Sequence, residues 1–313
     1  MFHVPHEARS GSDTVSRVRA TLDVEDAVIE LGPNRYGKAQ IRLVKVSRGP
    51  ERHVLRDLTV AISLEGDFTT AHVDGENANV VATDTMKNTT YALAKDGLTG
   101  PIEAFGQLLA SHFLEFPQVT RATASIREHG WSPIPTSTGP APDAFVRGGG
   151  LTRVTNASAT RDGLALESGI DDLVVMKTTR SAFEGFPRDR FTTLPETSDR
   201  LMATKVTAAW GYAAGSAADA TFDFDTAFAG VRDTLLDVFA THFSPSVQNS
   251  IWVIGRAILE AQPAIDWVRM VLPNLHHWLV EMGPFELTND REIYIPTTEP
   301  HGLIDATVRR AES

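Results

Sequence analysis

Asp57–Glu65 reads DLTVAISLE, and its alternation decides the fold class. Leu58, Val60, Ile62 and Leu64 fall on one side of an extended chain. Asp57, Thr59, Ala61, Ser63 and Glu65 fall on the other. Successive strand side chains point to opposite faces, so this period predicts antiparallel sheet with one side covered. The pattern recurs at Ala122, Ala124 and Ile126 against Arg121, Thr123, Ser125 and Arg127, and again at Val206, Ala208, Trp210 and Tyr212. Helical stripes lie between. Gly100-Pro101 opens one that carries Ile102, Phe105, Leu109, His112 and Phe113. A second runs through Phe224, Phe228, Val231, Leu235, Val238 and Phe239. Ser244-Pro245 reads as a cap followed by proline at the first helical position. The helix it opens carries Val247, Ile251, Ile254 and Ile258 on one face and stops near Pro263.

The order strand-strand, helix-helix, strand-strand thus occurs twice, from about Val28 to Gly130 and from about Phe145 to Arg309. Two such units predict an α+β protein with helices on one sheet face. The proline-rich Ser132–Ala144, SPIPTSTGPAPDA, reads as the linker between them. The expected domains are residues 26–140 and 141–313, preceded by a flexible extension over residues 1–25. The outer strands of such units are open edges that need cover from another subunit.

With 313 residues, 22% of them charged, the chain is long enough for two domains and too apolar in pattern for disorder. A net charge of −11 speaks against nucleic-acid and anionic-membrane partners, which need a basic stripe. An anion bound by so acidic a protein must meet a local pocket built from a few Arg and Lys residues. The absence of cysteine excludes disulfides, thiolate nucleophiles and Cys-ligated metals. No apolar run is long enough for a membrane helix. The N-terminus lacks a signal-peptide core, and the C-terminal RRAES is not a peroxisomal address, so a cytoplasmic location is expected.

Ser181–Arg200, SAFEGFPRDRFTTLPETSDR, joins an aromatic ring to a final arginine just before a strand. A planar anion needs such parts, a ring to stack on and a guanidinium fork to clamp a charged edge. A core phenylalanine and a surface arginine are the ordinary alternatives. In SPSVQNS, Ser244–Ser250, Val247 and Gln248 occupy the first turn of a helix. Backbone N–H groups there lack partners and the dipole end is positive, which suits an anion. In LPNLHHWLVEM, Leu272–Met282, an extended chain puts Asn274 and His276 on one face and His277 on the other, a poor metal pair. In VVATDTMKNTTYALAKDG, Val80–Gly97, a strand end runs into a helix for which Thr83, Asp84 and Thr85 offer capping oxygens. Gly32–Lys38 fits the start of a phosphate-binding loop, but Ala39 replaces the hydroxyl residue and a strand-like segment follows instead of a helix.

Taken in order, YGK before a strand (Tyr36–Val46), the four stretches above and the closing EIYIPTTEPHGLIDATV (Glu292–Val308) resemble the urate oxidase (uricase) family. The resemblance runs from about Val28 to Arg309; His129–Leu166 carries no matching motif. It implies two tandem T-fold domains per subunit and a tunnel-shaped homotetramer with active sites between subunits. The implied reaction oxidises urate with O2 to 5-hydroxyisourate and hydrogen peroxide, with no metal or organic cofactor. The resemblance makes Lys38, Thr83 and His276 a general base and proton relay. It gives Asp84 a backbone N–H bond to the ligand edge and Phe183 a stacking role. Arg200, Val247 and Gln248 would orient the ring, Asn274 would sit over it at the oxygen site, and Ile304 would form the pocket wall. Lys38 and Thr83 should come from one chain, and Phe183, Arg200 and Gln248 from its neighbour. Leu275 stands where the family commonly has Lys, and should face away from Asn274 and His276. The alternative is a catalytically impaired purine-binding T-fold protein, but Lys38, Thr83 and His276 are all present.

Overall fold

Alternation of the kind seen in Asp57–Glu65 builds most of the molecule. The computed structural model describes residues 29–213, 215–219, 221–297 and 299–311. The expected extension over residues 1–25 lies outside them. The chain separates into two compact units, Met1–Gly32 and Pro33–Ser313. Of the first, only residues 29–32 are described, and they form no helix or strand. The second begins with β1 (Tyr36–Arg48), β2 (His53–Gly66), α1 (Thr69–Val73), α2 (Thr83–Gly97), α3 (Ile102–Leu114), β3 (Val119–Thr136) and β4 (Gly139–Thr160). It continues with β5 (Gly163–Lys177), β6 (Met202–Tyr212), α4 (Phe224–Thr241), α5 (Val247–Ala261), β7 (Ile265–Leu275), β8 (His277–Leu279), β9 (Tyr294–Pro296) and β10 (Gly302–Arg309).

Eight strands make one antiparallel sheet in the order β1-β2-β3-β4-β5-β6-β7-β10. The register carries one apolar face across it. Ile62 faces Ala124, Ala124 faces Ala157, Ala157 faces Leu166, and further along Trp210 faces Val268 and Val268 faces Val308. The expected helices lie on that face: α2 and α3 over the β1–β4 half, and α4 and α5 over the other. Leu58, Val60, Ile62 and Leu64 are each at most 2% exposed. Burial at that level contributes roughly 1.5–3 kcal/mol per side chain. The fold is therefore α+β, as the alternation predicts. Among the described residues no helix is long and apolar enough to cross a membrane.

The linker reading of Ser132–Ala144 is corrected. These residues form the arms of the β3–β4 hairpin, with Ser132 opposite Val146, Pro133 opposite Phe145 and Pro135 opposite Pro140. The register slips at His129/Trp131 and at Pro133/Pro135. Proline lacks a ladder donor but is tolerated at bulges and sheet margins, so prolines there do not end a strand. The phosphate-loop resemblance is likewise spent: Gly37 and Lys38 lie inside β1.

A buried ionic cluster ties the two halves. Glu103 of α3, 0% exposed, accepts from Arg153 of β4 through Nε (3.2 Å) and Nη2 (2.8 Å), and from the Ser168 hydroxyl (2.8 Å). Arg153 also reaches Asp225 of α4 and lies over the Phe228 ring. Ser168 pairs with the Tyr212 hydroxyl, whose pKa burial pushes up to about 12. Burial pushes the Glu103 carboxyl up, and Arg153 opposes it. Glu103→Ala would leave the Arg153 guanidinium buried beside no carboxylate on α3. With Asp225 still paired to Arg153, we expect it to lower unfolding free energy by about 1.5–3 kcal/mol. Urea titration measures this, and a loss below about 1 kcal/mol would show the cluster to be dispensable.

Candidate active site

Backbone bridges bring the stacking ring, the arginine and the start of α5 together. The Phe183 N–H donates to the Thr197 carbonyl (2.8 Å), and the Thr197 N–H donates back (3.1 Å). The Arg200 N–H donates to Ser181 O (2.7 Å), and the Ala182 N–H to Ser244 O (2.7 Å). The Ser244 backbone thus serves the bridge to Ser181, and its hydroxyl meets the Ser250 hydroxyl (2.7 Å) without capping a helix N–H. The cap of α5 is Ser246, whose side chain accepts the Asn249 N–H, and Val247 is the first helical residue. The expected Ser244-Pro245 start is corrected by two residues, and Val247 and Gln248 keep their first-turn positions.

A cavity of about 550 Å³ opens here, at the ends of β7 and β10 beside the start of α5. Phe183, Arg200, Val247, Gln248, Asn274, His276 and Ile304 all line it. The Arg200 Cζ lies 5.3 Å from the centre of the Phe183 ring. Its Nε is buried with no hydrogen-bond partner among the described residues, and burial lowers its pKa. Burial also pushes the His276 imidazole below its ordinary value, with the Arg200 charge adding to the effect. Both effects favour the neutral imidazole, the form able to take a proton.

The strand through Asn274 and His276 is shorter than expected. β7 ends at Leu275, opposite Ala203, and β10 begins at Gly302, opposite Asn274. Beyond that point the chain leaves the large sheet: the His276 carbonyl accepts the Thr297 N–H (2.8 Å), and β8 pairs with β9. Leu275 and His277 consequently line the cavity too, so Leu275 does not simply face away. Trp278, Tyr294 and Arg291 also border it, and sequence reading missed them. Trp278 stacks on His276 at 5.5 Å. Trp278 and Tyr294 fall within the quoted motifs, but only the cavity shows that both border it.

Lys38, Thr83 and Asp84 do not line this cavity. Lys38 lies on β1 at one edge of the sheet, while Ile304 lies on β10 at the other. Seven strand spacings of ~4.8 Å put about 30 Å of sheet between them. Lys38 faces the start of α2, because a register shift between Lys38 and Ile41, with Gln40 at φ 56°, keeps both on the helix side. Thr83 opens α2, and its charged neighbour Asp84 senses the Lys38 charge. The capping expectation fails: Ala82 is the cap position, no side chain caps α2, and the Asp84 carboxylate instead pairs with Lys87 and Asn88.

The expected residues therefore fall into two groups on opposite sheet edges, one with a ring, a fork and a helix start, and the other with a lysine and a hydroxyl residue. The first suits a small flat anion, and the second suits proton transfer. The Uricase family model matches residues 34–158 and 166–305. The uricase of Arthrobacter globiformis is 43% identical over 286 residues, covering 91% of each chain. That of Dictyostelium discoideum is 38% identical, covering 90% of this chain and 97% of its own. The solved structure of the Arthrobacter globiformis uricase matches with a TM-score of 0.84 over 91% of this chain and 96% of that one. The chain belongs to the uricase family.

Proposed function

We infer that this chain is a urate oxidase. Urate, O2 and water give 5-hydroxyisourate and hydrogen peroxide, and no cofactor is needed because the electron-rich urate anion supplies the electrons itself. The family membership and the cavity that gathers Phe183, Arg200, Val247 and Gln248 carry this reading. Phe183 stacks beneath the ring, Arg200 and Gln248 hold its edge by fork-type hydrogen bonds, and the Val247 N–H adds a helix-start donor. Asn274 positions O2 and then the attacking water, and Ile304 closes the wall. Lys38, Thr83 and His276 move the protons, and the Asp84 N–H holds the far edge of the ring.

We further propose two tandem T-fold domains that meet where β4 turns into β5, at Arg161–Asp162, rather than near residue 140. The gap in the family match at residues 159–165 favours that boundary. The open edges β1 and β10 and the separated half-sites favour a homotetramer in which each site takes Lys38, Thr83 and Asp84 from one subunit and the other residues from its neighbour.

Loss of urate absorbance with matching peroxide, measured on chelator-treated protein in air-saturated buffer, tests the reaction. Urate that binds and persists would instead mark a catalytically impaired binding protein. The pH profile tests His276. A His whose folded pKa is depressed stays neutral until the pH falls below its ordinary value of about 6.5. The acid limb of kcat assigned to it should therefore lie below that pH, and His276→Gln should remove the limb. A limb unchanged in the variant would exclude His276 from the relay.

A further inference from the structure

We propose that Tyr36 is a positioning residue for the proton relay: its hydroxyl holds Val81, and through Val81 the start of α2, so that Thr83 stays within reach of Lys38. The inference rests on the urate oxidase reading of the Lys38–Thr83 pair.

Tyr36 and Lys38 are two residues apart on β1 and oppose Leu64 and Ile62, so both face the helices. The Tyr36 hydroxyl accepts the Val81 N–H at 2.7 Å and donates to the Val81 carbonyl at 3.1 Å. One hydroxyl thus satisfies both backbone groups of a residue that is only 5% exposed, where neither could turn to water without cost. Burial pushes the phenol above its ordinary pKa, so the proton it donates is retained. The ring itself is fixed, packing edge-on against Phe68 at 4.7 Å. The backbone beneath it is fixed too, since a side chain at Gly37 would bring Cβ to 1.8 Å from Ile62 O.

At the other end of this linkage the Val81 side chain packs in the core, and its two backbone groups are held by Tyr36. Val81 precedes Thr83 by two residues, the cap position between them is Ala82, and no side chain caps α2. Helices usually gain their starting geometry from a capping hydroxyl or carboxylate. Here the Tyr36 hydroxyl, on the same strand as Lys38, instead fixes the backbone of Val81, the residue just before the cap position. The strand that carries the base therefore also sets the position of the residue that must meet it. The far end of α2 is tied to β1 as well, because the Lys45 ammonium donates to the carbonyls of Ala94, Lys95 and Leu98.

A purely structural anchor exists in the same segment for comparison. Gln118 Nε2 donates to Asn79 O at 2.7 Å, two residues before Val81. The experiment compares Tyr36→Phe with Gln118→Met in the full-length assembled protein, by steady-state kinetics, thermal melting and size-exclusion chromatography. Tyr36→Phe should lower kcat at least about tenfold with KM for urate within about twofold, while the assembly persists. Gln118→Met should lose comparable thermal stability and keep its kcat. Tyr36→Phe added to Thr83→Ala should slow the enzyme no further, because both act on one group. A Tyr36→Phe variant that melts earlier but keeps kcat, as Gln118→Met does, would overturn the proposal, as would an additive effect on top of Thr83→Ala. Full turnover in both Lys38→Ala and Thr83→Ala would remove the relay itself and the inference with it, a different failure from that of Tyr36 alone.

Discussion

Arg200→Met should lower kcat/KM for urate by about a thousandfold, or roughly 4 kcal/mol of transition-state stabilisation. Arg200 Nε is buried and unpartnered among the described residues, so a ligand edge that accepts from it answers a donor desolvated in advance. A hydrogen bond to a charged group contributes about 1.5–3 kcal/mol, and a desolvated ligand anion left without its cation adds to the cost of truncation. The loss should fall largely on KM, because Arg200 holds the ring edge before as well as during oxidation. Arg200→Lys should rescue little, since an ammonium cannot present a planar fork. The same reasoning gives a second readout. Removing a half-buried guanidinium whose buried Nε has no partner among the described residues should leave the unliganded protein as stable as before, or stabilise it by about 1 kcal/mol. Steady-state kinetics and thermal melts check both. A variant that melts much earlier would mean that Arg200 holds the fold rather than the substrate.

Lys38→Ala and Thr83→Ala should each lower kcat by about 10²–10⁴-fold, the usual range for losing a general acid–base group. KM for urate should change little, because neither residue lines the cavity that holds the ring edge. The two effects should not add, since a relay interrupted once is already interrupted. Both side chains are half-buried at the sheet edge rather than in the core, so the assembly should persist in both variants. Near-normal turnover in both would remove the relay from the account.

How far the sequence foretold this depends on the range of the interaction. The one-sided alternation of Leu58–Leu64 predicts the covered sheet because strand period and burial are local consequences of the same backbone. The helix start at Val247 is legible within two residues, but its cap is not. Whether Ser244 or Ser246 caps α5 depends on the bridge from Ser244 to Ser181, more than sixty positions away. Prolines 133 and 135 mislead for a related reason: proline ends a strand only where a ladder bond is required, and the hairpin's bulges require none there. In the site, the identities of Phe183, Arg200, Gln248 and Asn274 come from motif context, and the cavity brings them together. Trp278 and Tyr294 escape because the segments that carry them reach the cavity only through the β8–β9 pairing. Tyr36 escapes because its partner is a backbone unit 45 residues away, which leaves no trace in periodicity.

The central claim is that one working site needs residues from two chains, and subunit complementation tests it most directly. Lys38→Ala and Arg200→Met chains, each nearly inactive alone, are unfolded, mixed in equal amounts and reassembled. If sites form between neighbours, each mixed pair holds one doubly damaged site and one intact site. Random pairing should then restore about a quarter of wild-type turnover, with wild-type KM for urate. Turnover that stays at the sum of the two variants, with mixed assemblies shown to be present, would contradict the account, because each chain would then have to build its site alone.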